Sequence, residues 1–404
     1  MTPLARRLSA IRPSATGAMT ARARALEAEG REVIALSQGE PDFDTPEAVC
    51  AAGIAAIRDG RTRYTPTAGI PELREAVAGK LKRDQGLDYA PDEIIVGCGA
   101  KQVLFNAFLA TLDPGDEVIV PAPCWVSYPE MVRLAGGEPV VVACPEAEGF
   151  KLTPQRLAAA ITPRSKWLLL NTPANPTGAV YTARELAALG EVLRARPGLW
   201  LLSDEIYEHL VYEPAGFASP AAVLPDLGPR TLLVNGVSKA YAMTGWRVGY
   251  GAGPRPLIAA MTTIQGQTTS HTSSIAQHAA VAALDGGAAL TEDFRRTFRA
   301  RRDLVVERLS GVPGLRCRRP DGAFYLFPDC RGLFGRLRPD GQPIRSDLDV
   351  AQYLLEQFGV ALVPGSSFLA EGHLRLSYAA ASEALERACN RIRAACETLV
   401  RAVA

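Results

Sequence analysis

A chain of 404 residues is too long for one ordinary hydrophobic core, so two domains are expected. A composition 48% hydrophobic and 22% charged, with a net charge of +1, fits a globular protein and argues against a general affinity for nucleic acid or anionic membrane. No apolar stretch approaches the ~18 residues that a membrane helix needs.

The eight cysteines are scattered and never spaced as CxxC, and none of the four histidines lies near a cysteine pair. Neither a metal site nor a disulfide framework is expected; the thiols read as buried or free in a reducing compartment, with cytoplasm as the default location.

In chain order, Arg6, Arg7, Arg12, Arg22 and Arg24 precede the first acidic residue, Glu27. No apolar core of a secretory signal follows, and the segment reads as a basic, partly helical arm rather than a transit peptide. From about residue 90 to 255, short apolar runs alternate with helical patterns. Strands are expected at Glu93–Cys98, Glu117–Val120, Pro139–Ala143, Lys166–Asn171, Leu199–Ser203, Thr231–Asn235 and Val248–Ala252. Helical period marks Lys101–Ala110 and Ala183–Arg194. This alternation predicts an α/β fold, a mostly parallel seven-stranded sheet between helices, with ligands beyond the carboxyl ends of its strands. After about residue 290 come an arginine-rich helix at Glu292–Leu309, strands at Ala323–Phe327, Val360–Val363 and Leu374–Tyr378, and a polar loop over 335–347. A helix from Ser382 to about Val400 closes the chain. The expected division is an arm and part of a small α+β domain over 1–45, a large domain over 46–289, and the rest of the small domain over 290–404.

Lysine is scarce: Lys80, Lys82, Lys101, Lys151, Lys166 and Lys239 are the only six among 44 basic residues. Arginine can replace a surface lysine but cannot form an imine, so each retained lysine merits scrutiny. Lys80 and Lys82 lie on a polar helix pattern and read as solvated. Lys239 follows a strand, inside the predicted ligand zone. Arg247, eight residues on, and Ser238 suit an anionic group such as a phosphate ester. Asp204 ends a buried strand, where an acid is costly unless partnered, and a pyridinium nitrogen is a suitable partner. Asn175 sits on a Pro/Gly-stiffened loop. The run from Val96 to Gln102 ends a strand and opens a helix, offering backbone N–H groups to a phosphate. It lacks the third glycine of a dinucleotide fingerprint. Singly, each has a bland reading: Lys239 a surface charge, Arg247 a salt bridge, the Asn175 loop an ordinary turn. Their order and combination do not.

The stretches Gln38-Gly-Glu-Pro-Asp-Phe-Asp44, Arg63-Tyr-Thr-Pro66, Asn175-Pro-Thr-Gly178, Ser203-Asp-Glu-Ile-Tyr207, Ser238-Lys239 with Gly245-Trp-Arg247, and Arg375-Leu-Ser-Tyr378 stand in the order of one family. From Ser14 onward the chain resembles the class I aminotransferases of pyridoxal-phosphate fold type I, especially the bacterial aspartate enzymes, some of which also use prephenate. The resemblance implies that Lys239 carries pyridoxal 5′-phosphate as a Schiff base and later shuttles a proton. Asp204 would pair with the pyridine nitrogen, Asn175 and Tyr207 would hydrogen-bond the phenolic oxygen, and Trp125 would stack on the ring. Ser238, Arg247 and the backbone of Gly99, Ala100 and Lys101 would hold the phosphate. Tyr64 would reach the neighbouring subunit's cofactor, implying a homodimer with shared sites. Arg375 would take the substrate α-carboxylate and Gly39 would close over it.

Lys101 matches a position that reads the distal carboxylate of aspartate or glutamate; a helix cap or phosphate contact is its other reading. Arg12 matches a position where prephenate-using members carry lysine, so it is a candidate for prephenate's second carboxylate. Cys124 stands where the family has tyrosine, either an oxidation-sensitive thiol or an inert buried one. The expected reaction moves the amino group of L-aspartate to 2-oxoglutarate by a ping-pong mechanism, with prephenate as a further acceptor. The partners expected are amino acids and 2-oxo acids, with no nucleic acid or membrane. A C–S β-lyase on the same fold and a non-catalytic cofactor-binding regulatory module are the alternatives.

Overall fold

The computed structural model describes residues 5–11, 13, 15–212 and 216–401. Seven strands form the main sheet, in the order Ile94–Gly97, Gly249–Ala252, Thr231–Gly236, Trp200–Asp204, Ser165–Asn171, Glu117–Ala122, Glu138–Ala143. Gly249–Ala252 runs antiparallel to both neighbours and the remaining pairings are parallel. All seven lie within two residues of the expected bounds; six are buried on both faces and read as continuous apolar runs, while the edge strand Glu138–Ala143 is partly exposed.

Alternation along each strand feeds two separate packing layers. Trp167 and Leu169 point into a cluster with Val103, Leu104 and Phe108 of the helix Ala100–Thr111, joined by Ile258 and Met261 of Arg255–Thr268. Leu168 and Leu170 point the other way, onto Leu186, Leu189 and Leu193 of Ala183–Arg194. That helix starts at a capping box. Thr182 Oγ1 accepts from the Glu185 N–H at 3.2 Å, and the Glu185 carboxylate accepts from the Thr182 N–H at 2.8 Å.

A second core gathers residues from both ends of the chain. Met19, Ala23 and Leu26 of the helix Ala15–Ala28 pack with Phe298, Val305, Leu354, Leu376 and Ile392. Ile34–Ala35 pairs in parallel with Val360–Ala361. The expected strand Val360–Val363 is two short ones: Val363–Pro364 belongs to a different, three-stranded sheet with Leu374–Ser377 and Tyr325–Leu326. The helix expected from Glu292 begins at Ala288, after Gly287 with φ of 53° breaks the preceding helix. Within the 335–347 loop, Arg336–Leu337 pairs with Val400–Arg401.

One lysine overturns its sequence reading. Lys80 is fully buried, because it shares the inward face of the helix Pro71–Gln85 with Leu73, Val77 and Leu81. Its ammonium donates to the Glu208 carboxylate, which also accepts from Asn235 Nδ2 at 2.8 Å.

Candidate active site

The carboxyl ends of the parallel strands open into one cavity of about 600 Å³. Gly39, Ala100, Lys101, Trp125, Asn175, Asp204, Tyr207, Ser238, Lys239, Arg247 and Arg375 all line it. Asp204 is the last residue of its strand, and Asn171, Gly236 and Ala122 end their own strands nearby. Gly99 lies just behind the wall, with φ of 80° at the start of the helix Ala100–Thr111. A Cβ there would fall 2.2 Å from Arg247 Nη2, so glycine lets the guanidinium approach the helix N-terminus. Arg247 itself has a positive φ of 57° and donates to the carbonyls of Thr244 at 2.9 Å and Cys98 at 3.3 Å.

Burial sets the electrostatics. The Asp204 carboxyl is pushed up to about 6 by burial, against the opposing hydrogen bond that it accepts from the Tyr128 hydroxyl at 2.6 Å. Burial, with Arg247 and Arg375 adding to it, holds the Lys239 ammonium down to about 8, while Glu40 and Asp204 pull the other way. The Lys239 amine donates to the Gly39 carbonyl at 2.6 Å. Burial and then Arg247 lower Lys101 as well, and its ammonium lies 4.7 Å from the centre of the Trp125 ring.

Arg375 is 2% exposed and rigidly held. It donates to Asn175 Oδ1 at 3.1 Å and to the Ser37 carbonyl at 2.5 Å, and it stacks over Tyr325 at 4.6 Å and Phe368 at 4.9 Å. The Tyr325 hydroxyl shares a 2.9 Å hydrogen bond with that of Tyr207. The segment carrying Gly39 is pinned beyond the cavity, where Asp42 takes a two-pronged bond from Arg301 at 2.6 and 2.9 Å.

Tyr64 is outside the cavity and 94% exposed, its ring set edge-on to His271. Arg12 lies outside the described residues. Tyr128, Tyr325 and Phe368 escaped the sequence reading. Tyr128 stands three residues past Trp125, and a lone hydroxyl on the apolar face of a helix following a strand end was the available signal. Burial lifts the Cys124 thiol to about 12, which makes it an inert filler. Elsewhere Glu146, Asp329 and His373 approach within metal-ligating range, but Arg316 bridges the two carboxylates at 2.6 and 3.0 Å and takes the place of a cation. No helix among the described residues is long and apolar enough to cross a membrane.

Residues 31–392 match the sequence profile of the family described as aminotransferase class I and II. The chain is 54% identical to a probable aspartate/prephenate aminotransferase of Rhizobium leguminosarum bv. phaseoli, over 97% of this chain and 98% of that protein. It is equally 54% identical to the aspartate/prephenate aminotransferase of Cereibacter sphaeroides, with the same two coverages. Among solved structures, the aspartate aminotransferase of Rhizobium meliloti superposes with a TM-score of 0.96 at 51% identity, covering 99% of this chain and 100% of that one. The aspartate aminotransferase of Thermus thermophilus with maleate superposes with a TM-score of 0.91 at 48% identity, covering 98% and 100%.

Proposed function

This chain belongs to the class I and II aminotransferases, and on that premise we propose that it moves the amino group of L-aspartate to 2-oxoglutarate, yielding oxaloacetate and L-glutamate, and that it also accepts prephenate. Pyridoxal phosphate is the cofactor in this reading, held by the larger part of the chain over 46–289, with 1–45 and 290–404 forming the smaller part. When bound, it supplies a carbonyl carbon that takes up the amino group and a ring that withdraws electrons from the neighbouring carbon.

The side chains fit that group. Asp204 is a buried carboxylate in want of a cation, and a protonated ring nitrogen meets the need. Ser238, Arg247 and the N–H groups following Gly99 make a cradle for the phosphate, and the Trp125 face covers the ring. Tyr207 and Asn175 serve as hydrogen-bond donors to the ring's phenolic oxygen. Lys239 Nζ, with its proton affinity lowered by burial, would be the amine that holds the cofactor and would then take the proton from the substrate α-carbon. Arg375 receives the α-carboxylate on a guanidinium whose orientation is already fixed, so little entropy is lost on binding. The Gly39 segment excludes water during proton transfer. Tyr64, exposed and outside its own cavity, would reach a second subunit's cofactor, which makes the active unit of this reading a homodimer.

The observation that carries the aspartate reading is that one cavity holds a clamped guanidinium, Arg375, and a cation free of any carboxylate among the described residues, Lys101. A diacid occupies both. A C–S β-lyase has no use for the second. The test is to titrate the cofactor-loaded protein with single amino acids, without any oxo acid, while following cofactor absorbance. Aspartate and glutamate should convert the spectrum at far lower concentration than alanine or phenylalanine. Conversion by neither diacid, or release of pyruvate and ammonia, would overturn the assignment.

A further inference from the structure

The helix Ala15–Ala28 has two working faces. Met19, Ala23 and Leu26 face the small core, whereas Gly17, Thr20, Ala21 and Arg24 line the cavity. The spacing of these four, with intervals of three, one and three residues, is that of a single helical stripe. Two arginines two positions apart are therefore used differently. Arg22 points outward and pairs with Glu29 at 3.9 Å and Glu356 at 3.8 Å. Arg24 points to the cavity and has no carboxylate partner among the described residues. The helix is also tied to the α-carboxylate clamp: Thr20 Oγ1 lies 3.3 Å from Ser37 Oγ, and the Ser37 carbonyl accepts from Arg375.

The cavity thus presents Arg375 and two uncommitted cations, Lys101 and Arg24. A diacid as short as aspartate, anchored on Arg375, has one distal carboxylate and needs one of them. Lys101 holds its ammonium 4.7 Å from the centre of the Trp125 ring, whereas Arg24 reaches the same cavity from the helix Ala15–Ala28, and both residues are exposed to solvent. We propose that Arg24 is a specificity residue for larger diacids, those whose far carboxylate is carried on a ring beyond the reach set by Lys101, prephenate among them. The inference rests on the transamination reading above and adds a named residue to it. A guanidinium suits the role because its planar fork takes a carboxylate in two parallel hydrogen bonds.

The experiment compares the unaltered enzyme with Arg24→Leu, Arg24→Lys and, as a control on helix integrity, Arg22→Leu. Each is assayed with aspartate as donor against 2-oxoglutarate and against prephenate. Arg24→Leu should raise the KM for prephenate about tenfold with kcat retained, the worth of one charge-assisted contact at a partly exposed site. Arg24→Lys should recover part of that loss, and neither Arg24 variant should move the KM for 2-oxoglutarate comparably. Arg22→Leu should leave both acceptors alone. An unchanged prephenate KM in Arg24→Leu, or an equal rise for both acceptors, overturns the proposal. So does an unaltered enzyme that transaminates aspartate to 2-oxoglutarate but not to prephenate. An enzyme inactive with aspartate itself overturns the underlying reading instead.

Discussion

Asp204 shows how a residue to which the proposed reading gives a chemical role weakens the fold that carries it. Its carboxyl titrates at about 6 in the folded protein, against 3.8 for an unburied group. A folded value raised in this way adds stability only at low pH, and that stability is lost as pH rises through 6, so at neutral pH the cofactor-free protein carries a buried charge as a cost. Replacing Asp204 by Asn removes the charge and keeps an oxygen for the Tyr128 hydroxyl. Asp204→Asn should therefore stabilise the cofactor-free protein at pH 7.5 by on the order of 2 kcal/mol, with the gain vanishing towards pH 4, while transamination falls by orders of magnitude. Thermal melts at both pH values check the first part. A lower Tm for the variant at pH 7.5 would mean that another cation already compensates Asp204.

At the scale of single elements, the turn after Asp204 depends on a helix whose lysines read as solvated in the sequence. Glu205 and Glu208 follow the strand end and are buried; Lys80 and Gln85, from the helix Pro71–Gln85, reach across to them. Burial pushes the Glu205 carboxyl up to about 8, whereas Lys80 and His209 hold Glu208 low despite its burial. Breaking a buried pair costs far more than its net worth, because the orphaned charge stays behind. Lys80→Met should destabilise the protein by roughly 3 kcal/mol in denaturant unfolding. The double variant Lys80→Met with Glu208→Gln should recover much of that loss; no recovery would show that Lys80 acts through packing alone. The same helix marks where sequence reading ran out. Strands such as Ser165–Asn171 were legible because burial on both faces demands apolar residues throughout, and Ala183–Arg194 because its cap and period agree. Asp204 ends one such strand and Asn175 lies four residues past the end of another, so position put both in the ligand zone, and their combination with Lys239 and Arg247 pointed to chemistry. Lys80 was not legible, since a lysine on a helix reads as solvated and its partner is 128 residues away. Tyr325 was hidden for the same reason, meeting Tyr207 across 118 residues.

At the scale of the whole molecule, the proposed homodimer turns on the exposed Tyr64. Tyr64, Ile54 and Ile57 are 94%, 49% and 55% exposed. If Tyr64 serves the neighbouring cofactor, Tyr64→Ala and Lys239→Ala should each be nearly inactive, yet mixing them after subunit exchange should restore activity, because half the sites in a mixed dimer then contain both groups. No recovery on mixing, with exchange verified, would place Tyr64 in its own subunit's site or in none. A last consequence follows from the pairing of Ile34–Ala35 with Val360–Ala361. Ribosomes add about 5–20 residues per second, so the partner strand is made roughly 15–60 seconds after Ile34. For that interval Met19, Ala23, Leu26, Ile34 and Leu36 lack the part of their core that lies from Val360 onward, including Leu376, Leu385 and Ile392. The large sheet, whose strands all fall between Ile94 and Ala252, can assemble meanwhile. The segment synthesised first is thus among the last to find its full set of partners, and the cavity wall that it supplies is completed only when the rest of the chain already exists.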